Sequence, residues 1–135
     1  MPLINLEFAQ RIVQCALQQA TSKDRSVAVA IVDSHGELNR FAKMNKCSFQ
    51  AALLAQNNAY TAARNRQPTP LPGLWAQQAS NDMSHWTDPK ITGLGGGLPI
   101  KSDGRVIGAI NVSGFNEQQD EELAHCAVSS LTHQA

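Results

Sequence analysis

Apolar positions recur at helical spacing along residues 5–21. Leu6, Ala9, Val13, Ala16, Leu17 and Ala20 share one stripe, and Ile12 widens it. The spacing predicts an amphipathic helix with Asn5 as its N-cap. From Ser26 to Asp33 the pattern changes to SVAVAIVD, a continuous run of small and β-branched residues without alternation. A strand of that kind is covered on both faces and lies centrally in its sheet. The turn SHGE then leads into LNRFAKM, Leu38 to Met44, as the second strand of an antiparallel hairpin.

Ser48 is placed to cap a helix running to about Arg66, rich in alanine at positions 51, 52, 55, 59, 62 and 63. Small side chains there let another backbone approach closely. QPTPLPG, with three prolines, ends it. A short helix is predicted over Leu74–Ser80 and a loop over Asn81–Thr92. LPIK and RVIGAINVS read as strands joined by the turn SDG. The second of these is apolar on both sides, with Val106, Ile110 and Val112 on one face and Ile107 and Ala109 on the other. Asn116 with Gln119 opens a last helix, whose stripe is Leu123, Ala127 and Leu131. This order of elements predicts an α/β (α+β) domain, an antiparallel sheet with helices on both faces.

Composition narrows the function classes. The chain has 135 residues, enough for a single domain over 1–135 with one sizeable core. Lys and Arg balance Asp and Glu at eleven each, so neither nucleic acid nor a membrane surface is an expected partner. Charged residues make up only 16%, which points to surface buried in an oligomer. The three cysteines, Cys15, Cys47 and Cys126, are far apart and suggest neither a disulfide framework nor a zinc site. With no leader-like or membrane-spanning stretch, the chain as written reads as cytoplasmic.

Seven of the nine glycines fall in GLGGGLPI and GRVIGAINVSG. The first piece runs into a strand, so it matches neither a phosphate loop nor a dinucleotide fingerprint, both of which open a helix. Two readings remain. Gly95, Gly96 and Gly97 supply tight turns at a sheet end, with positive φ at Gly96 or Gly97, or they let a flat ligand lie against bare backbone.

The segments VAVAIVDSHGEL, KMNKCS, AYTAA, GGLPIKSDGRVIGAINVSG and QDEELA, in this order, resemble the GlcG/HbpS/PduO C-terminal domain family of haem-binding and haem-degrading domains. The resemblance spans nearly the whole chain and implies a five-stranded antiparallel sheet with helices on both faces. It also implies a homo-oligomer with an even number of subunits and a small-molecule ligand. Haem or a related tetrapyrrole is the ligand it favours, in an accessory or sensor protein. The alternatives are an enzyme or enzyme-accessory subunit of a catabolic pathway, acting on a small organic acid, alcohol or aldehyde, and a structural oligomer without ligand. One branch of the family is attached to a cobalamin adenosyltransferase, but the additional catalytic domain is absent from this sequence and that activity is not expected. Lys43-Met44-Asn45-Lys46 stands where the family pattern resembles Arg-Met-Asp-Gly. Asn58 stands where a lysine precedes A-x-T-A-A.

A haem slot needs an axial ligand and contacts for its propionates. His85, beside Trp86, is a candidate pocket wall next to the glycines, with interface packing as the other reading for the tryptophan. His35, in the first hairpin turn, is the other histidine candidate, and Met44, which matches the family motif, and Cys47 stand behind the two histidines. Asn58 shares a helix face with Ala51, Ala55 and Ala62, so if buried it requires a hydrogen-bond partner, either a ligand or Asn45. Asn45 and Asn58 as neutral amides weaken carboxylate recognition, and Asn58→Lys is expected to strengthen haem binding. The candidate ligand-binding set is therefore Met44, Asn45, Asn58, His85, Gly95, Gly96 and Gly97. No esterase elbow, HExxH or other conventional catalytic motif is present, so no catalytic residue is assigned.

Overall fold

The structure, a computed structural model, describes residues 4–65, 97–114 and 117–132. The elements in chain order are α1 (Leu6–Ser22), β1 (Ala28–Asp33), β2 (Leu38–Lys43), α2 (Phe49–Asn65), β3 (Gly97–Ser102), β4 (Arg105–Ser113) and α3 (Glu117–Thr132). The strands form one antiparallel sheet in the order β2-β1-β4-β3. The described residues thus hold four strands, not the five implied by resemblance, and match the four strand-like runs in the sequence itself. The predicted helix over Leu74–Ser80 lies outside the described residues.

Local chemistry explains the boundaries. The Asn5 side chain accepts from the Phe8 N–H at 2.8 Å, and Ser48 Oγ accepts from the Ala51 N–H at 3.1 Å. Each satisfies a first-turn donor that has no partner within the helix. β1 is buried along all but its last residue, as its unbroken apolar run requires. β2 is half exposed, as an edge strand should be.

α2 packs on one face of the sheet, and α1 and α3 pack on the other. The α1/α3 side is the larger core, holding Ile12, Val29, Ile31, Ile100, Ile110 and Leu123. Each such side chain contributes about 1.5–3 kcal/mol of transfer free energy on burial. The α2 side is built almost entirely of alanine.

Two sequence expectations change. Leu6 is 53% exposed, because α1 faces the sheet through Ala9, Ile12, Val13, Ala16 and Ala20. Ile107 joins Ile110 and Val112 on the α1/α3 face, while Ala109 faces α2. Ile100 pairs with Gly108 and Lys101 with Val106, so Ile107 is an extra residue in the ladder. That bulge breaks strict alternation and turns Ile107 to the larger core.

Candidate functional site

The polar residues buried in this small domain gather on and around the α2 side. Antiparallel neighbours share a face. On β4, Ala109, Asn111 and Ser113 therefore point toward α2, flanked by Ala30 and Ala28 of β1 and by Gly97 and Pro99 of β3. Above them α2 presents Ala52, Ala55, Ala59, Ala62 and Ala63. In this alanine-lined seam Asn111 is fully buried, Asn58 is 2% exposed and Ser113 is 6% exposed; Thr61, also fully buried, lies on the other side of α2 from its alanines. Thr61 returns its hydroxyl to the Asn57 carbonyl at 2.8 Å, and Ser113 Oγ donates to Asn111 Oδ1.

At the end of the seam where α2 begins, Asp120 is buried and its Oδ2 accepts from the Gly114 N–H at 3.3 Å. Cys47 is buried beside it, with Sγ 3.9 Å from the Ser113 carbonyl oxygen. Burial pushes the Cys47 thiol up; the Lys43 charge pulls against this, and the Asp120 carboxylate adds to it. The thiol therefore stays protonated at neutral pH and is a poor nucleophile or metal ligand. Lys43 spends its ammonium group on the Met44 carbonyl, 3.2 Å away, and on the face of the Phe49 ring, 5.3 Å from its centroid.

The sequence candidates separate in space. Asn58 lies in the seam, and Gly97 opens β3 directly opposite Asn111. Gly97 is not in the left-handed region; among the described glycines, Gly36, Gly104 and Gly114 have positive φ. Gly97 instead continues the extended backbone of β3, so the turn reading does not apply there. Met44 packs against the opposite core, and its Sδ accepts from the Val27 N–H at 3.3 Å. Asn45 is exposed in the turn before α2. Asn58 lies nine residues into that helix, roughly 14 Å along its axis, so the two amides do not meet. His35 is exposed in the β1–β2 turn. His85, Gly95 and Gly96 lie outside the described residues. No group of three or more metal-ligating side chains occurs among the described residues.

Sequence reasoning missed Asn111, Ser113 and Asp120. A signal was present for the first: Asn111 is a carboxamide inside an otherwise apolar strand, where a buried polar group needs a reason.

With this geometry in hand, known proteins place the chain. It belongs to the HbpS-like family, whose model, described as haem degrading protein HbpS-like, matches residues 4–129. Protein GlcG of Escherichia coli K12 is 32% identical over 111 residues, covering 82% of this chain and 81% of GlcG. The crystal structure of Klebsiella pneumoniae protein ORFY superposes with a TM-score of 0.89 at 29% identity, covering 96% of this chain and 90% of that one. A crystal structure of a PduOC–haem complex superposes with a TM-score of 0.87 at 25% identity, covering 95% and 94%. Among the described residues no helix is long and apolar enough to cross a membrane.

Proposed function

We propose that this protein is a ligand-binding accessory or sensor protein, and that its ligand is haem or a related tetrapyrrole. The observation that carries the reading is the likeness, over 95% of the chain, to a domain crystallised with haem. The seam fits the edge of such a ligand in part. Its walls of alanine and Gly97 carry little side-chain bulk, and its buried amides and hydroxyl are hydrogen-bonding groups. The described seam residues do not supply an iron ligand: Met44 is turned to the other core and Cys47 holds its proton. We assign that role to His85. Haem, when bound, would supply the redox or gas-binding chemistry; the chain's own part is to hold and orient it.

Haemin titration followed by the Soret band tests this. Wild type is expected to give a saturable shift. His85→Ala is expected to alter the bound spectrum, and Gly97→Val, which puts a branched side chain beside Asn111, to weaken binding while the fold is retained. No saturable shift in wild type would remove haem; unchanged binding in both variants would move the site elsewhere.

We further propose that the protein works as an even-numbered homo-oligomer. Phe49 and Leu53, one helical turn apart on α2, are 86% and 53% exposed, and Leu38 on the edge strand β2 is 51% exposed. Paired apolar side chains in water favour burial against another surface. Sedimentation at micromolar concentration is expected to show a dimer or higher even species. A lone 14.6 kDa species would overturn this.

A further inference from the structure

We propose that Asn111 anchors a neutral carbonyl oxygen of the ligand held between β4 and α2. The inference rests on the seam being the ligand site and adds which chemical group meets the protein there. Asn111 is fully buried. Its Oδ1 is held by the Ser113 hydroxyl, which leaves the Nδ2 end as the donor directed into the seam. That Nδ2 has no hydrogen-bond acceptor among the described residues.

The reason lies in the sheet register. On the α2 face, the residues beside Asn111 are Ala30 on β1 and Gly97 on β3, and the next residue along β4 is Ala109. None has a side-chain acceptor, and the backbone carbonyls of a sheet are committed to its ladders. α2 covers the place with alanine and with Asn58, and the Asn58 Oδ1 makes no hydrogen bond to this Nδ2. A buried amide donor with no acceptor costs the full desolvation of the group, so something must repay it. Gly97, on the edge strand, brings no side chain beside Asn111, which lies one strand in from the sheet margin.

Charge decides which acceptor fits. The polar groups buried in the seam, Asn58, Asn111 and Ser113, are all neutral. The buried charge nearby is the Asp120 carboxylate, and the cation at that end, Lys43, is already engaged with the Met44 carbonyl and the Phe49 ring. A carboxylate placed here would be buried without a counter-ion, whereas an amide, ketone or aldehyde oxygen would not.

The test is a titration of ¹⁵N-labelled protein with acetamide and, separately, with acetate, which has the same shape and a negative charge. The readout is the side-chain NH2 pair of Asn111, assigned through its own backbone amide. The backbone amides of Gly97 and Ala30 are followed as well. Acetamide is expected to shift all three saturably, and acetate to bind at least about tenfold more weakly, because its charge must be desolvated. In Asn111→Leu the Gly97 and Ala30 shifts are expected to vanish; should that variant not fold, the wild-type NH2 pair alone decides.

No saturable shift at Asn111, or equal affinity for acetate, would overturn the proposal. So would retained Gly97 and Ala30 shifts in a folded Asn111→Leu, or a bound water that still contacts the NH2 pair at acetamide saturation. Haemin binding without the acetamide response removes the role of Asn111 alone. An acetamide response without haemin binding removes the tetrapyrrole and keeps the anchor.

Discussion

Gly108→Val is expected to destabilise the protein by about 3 kcal/mol or more, lowering the melting temperature by roughly 10 °C. Gly108 sits in mid-β4, paired with Asp33 on one side and Ile100 on the other. A Cβ there would run into the Val32 carbonyl oxygen and come 3.3 Å from the Ile4 side chain. The first obstacle is backbone of the central strand, so no side-chain rotation relieves it. The second is the segment leading into α1, which is tied down by the Ile4 N–H donating to the Ile107 carbonyl at 3.3 Å. Space, rather than dihedral freedom, is what glycine provides here, since its φ is not in the left-handed region. Gly104 is the control. It lies in the β3–β4 turn at φ +77, and a Cβ added there would meet nothing within 4 Å, so Gly104→Asn is expected to cost less than about 1 kcal/mol. Thermal melts of both variants decide; a Gly108→Val protein that melts like wild type would show that β1 and β4 separate there at no cost.

Asn58→Lys is expected to cost about 2–5 kcal/mol in the ligand-free protein, the range for a buried charge left without its partner. Asn58 is 2% exposed on α2, and the alanines around it carry no charge to pair with a lysine. Asn45, the residue expected to answer it, is exposed before the helix begins. The buried carboxylate of Asp120 holds the Gly114 N–H at the end of the sheet where α2 starts, nine residues away from Asn58 along the helix. A ligand carboxylate in the seam would change the sign, since it would pair with the new ammonium group. The expected result is a melting temperature well below that of wild type without haemin, and a larger rise on adding haemin than wild type shows. An unchanged melting temperature without haemin would mean that the position reaches solvent. An equal rise in both proteins would place the propionates elsewhere.

Much of the fold was legible in the residues. SVAVAIVD could only be a strand covered on both sides, and β1 is the buried partner of both β2 and β4. Asn5 and Ser48 mark their helices because a side-chain oxygen is the nearest acceptor for a first-turn N–H. Of the candidate site, Asn58 and Gly97 reach the seam, and both were visible as breaks in an alanine or apolar pattern.

What the chain determined by itself is local: helical period, strand character, caps, turns, and the alanine face of α2. These depend on neighbours within a few positions, which a sequence displays directly. The tertiary structure decided which side of the sheet each residue meets. The bulge at Ile107 turned it to the α1/α3 core and left Ala109 facing α2, an outcome of pairing with β3 that no period along β4 contains. It sent Met44 to the core opposite Asn58, and kept Asn45 in water while Asn58 was buried. It also set Asn111 between Ala30 and Gly97, which are distant in the chain. Whether a buried amide finds an acceptor depends on the residues that register brings beside it, and register is a property of the assembled sheet.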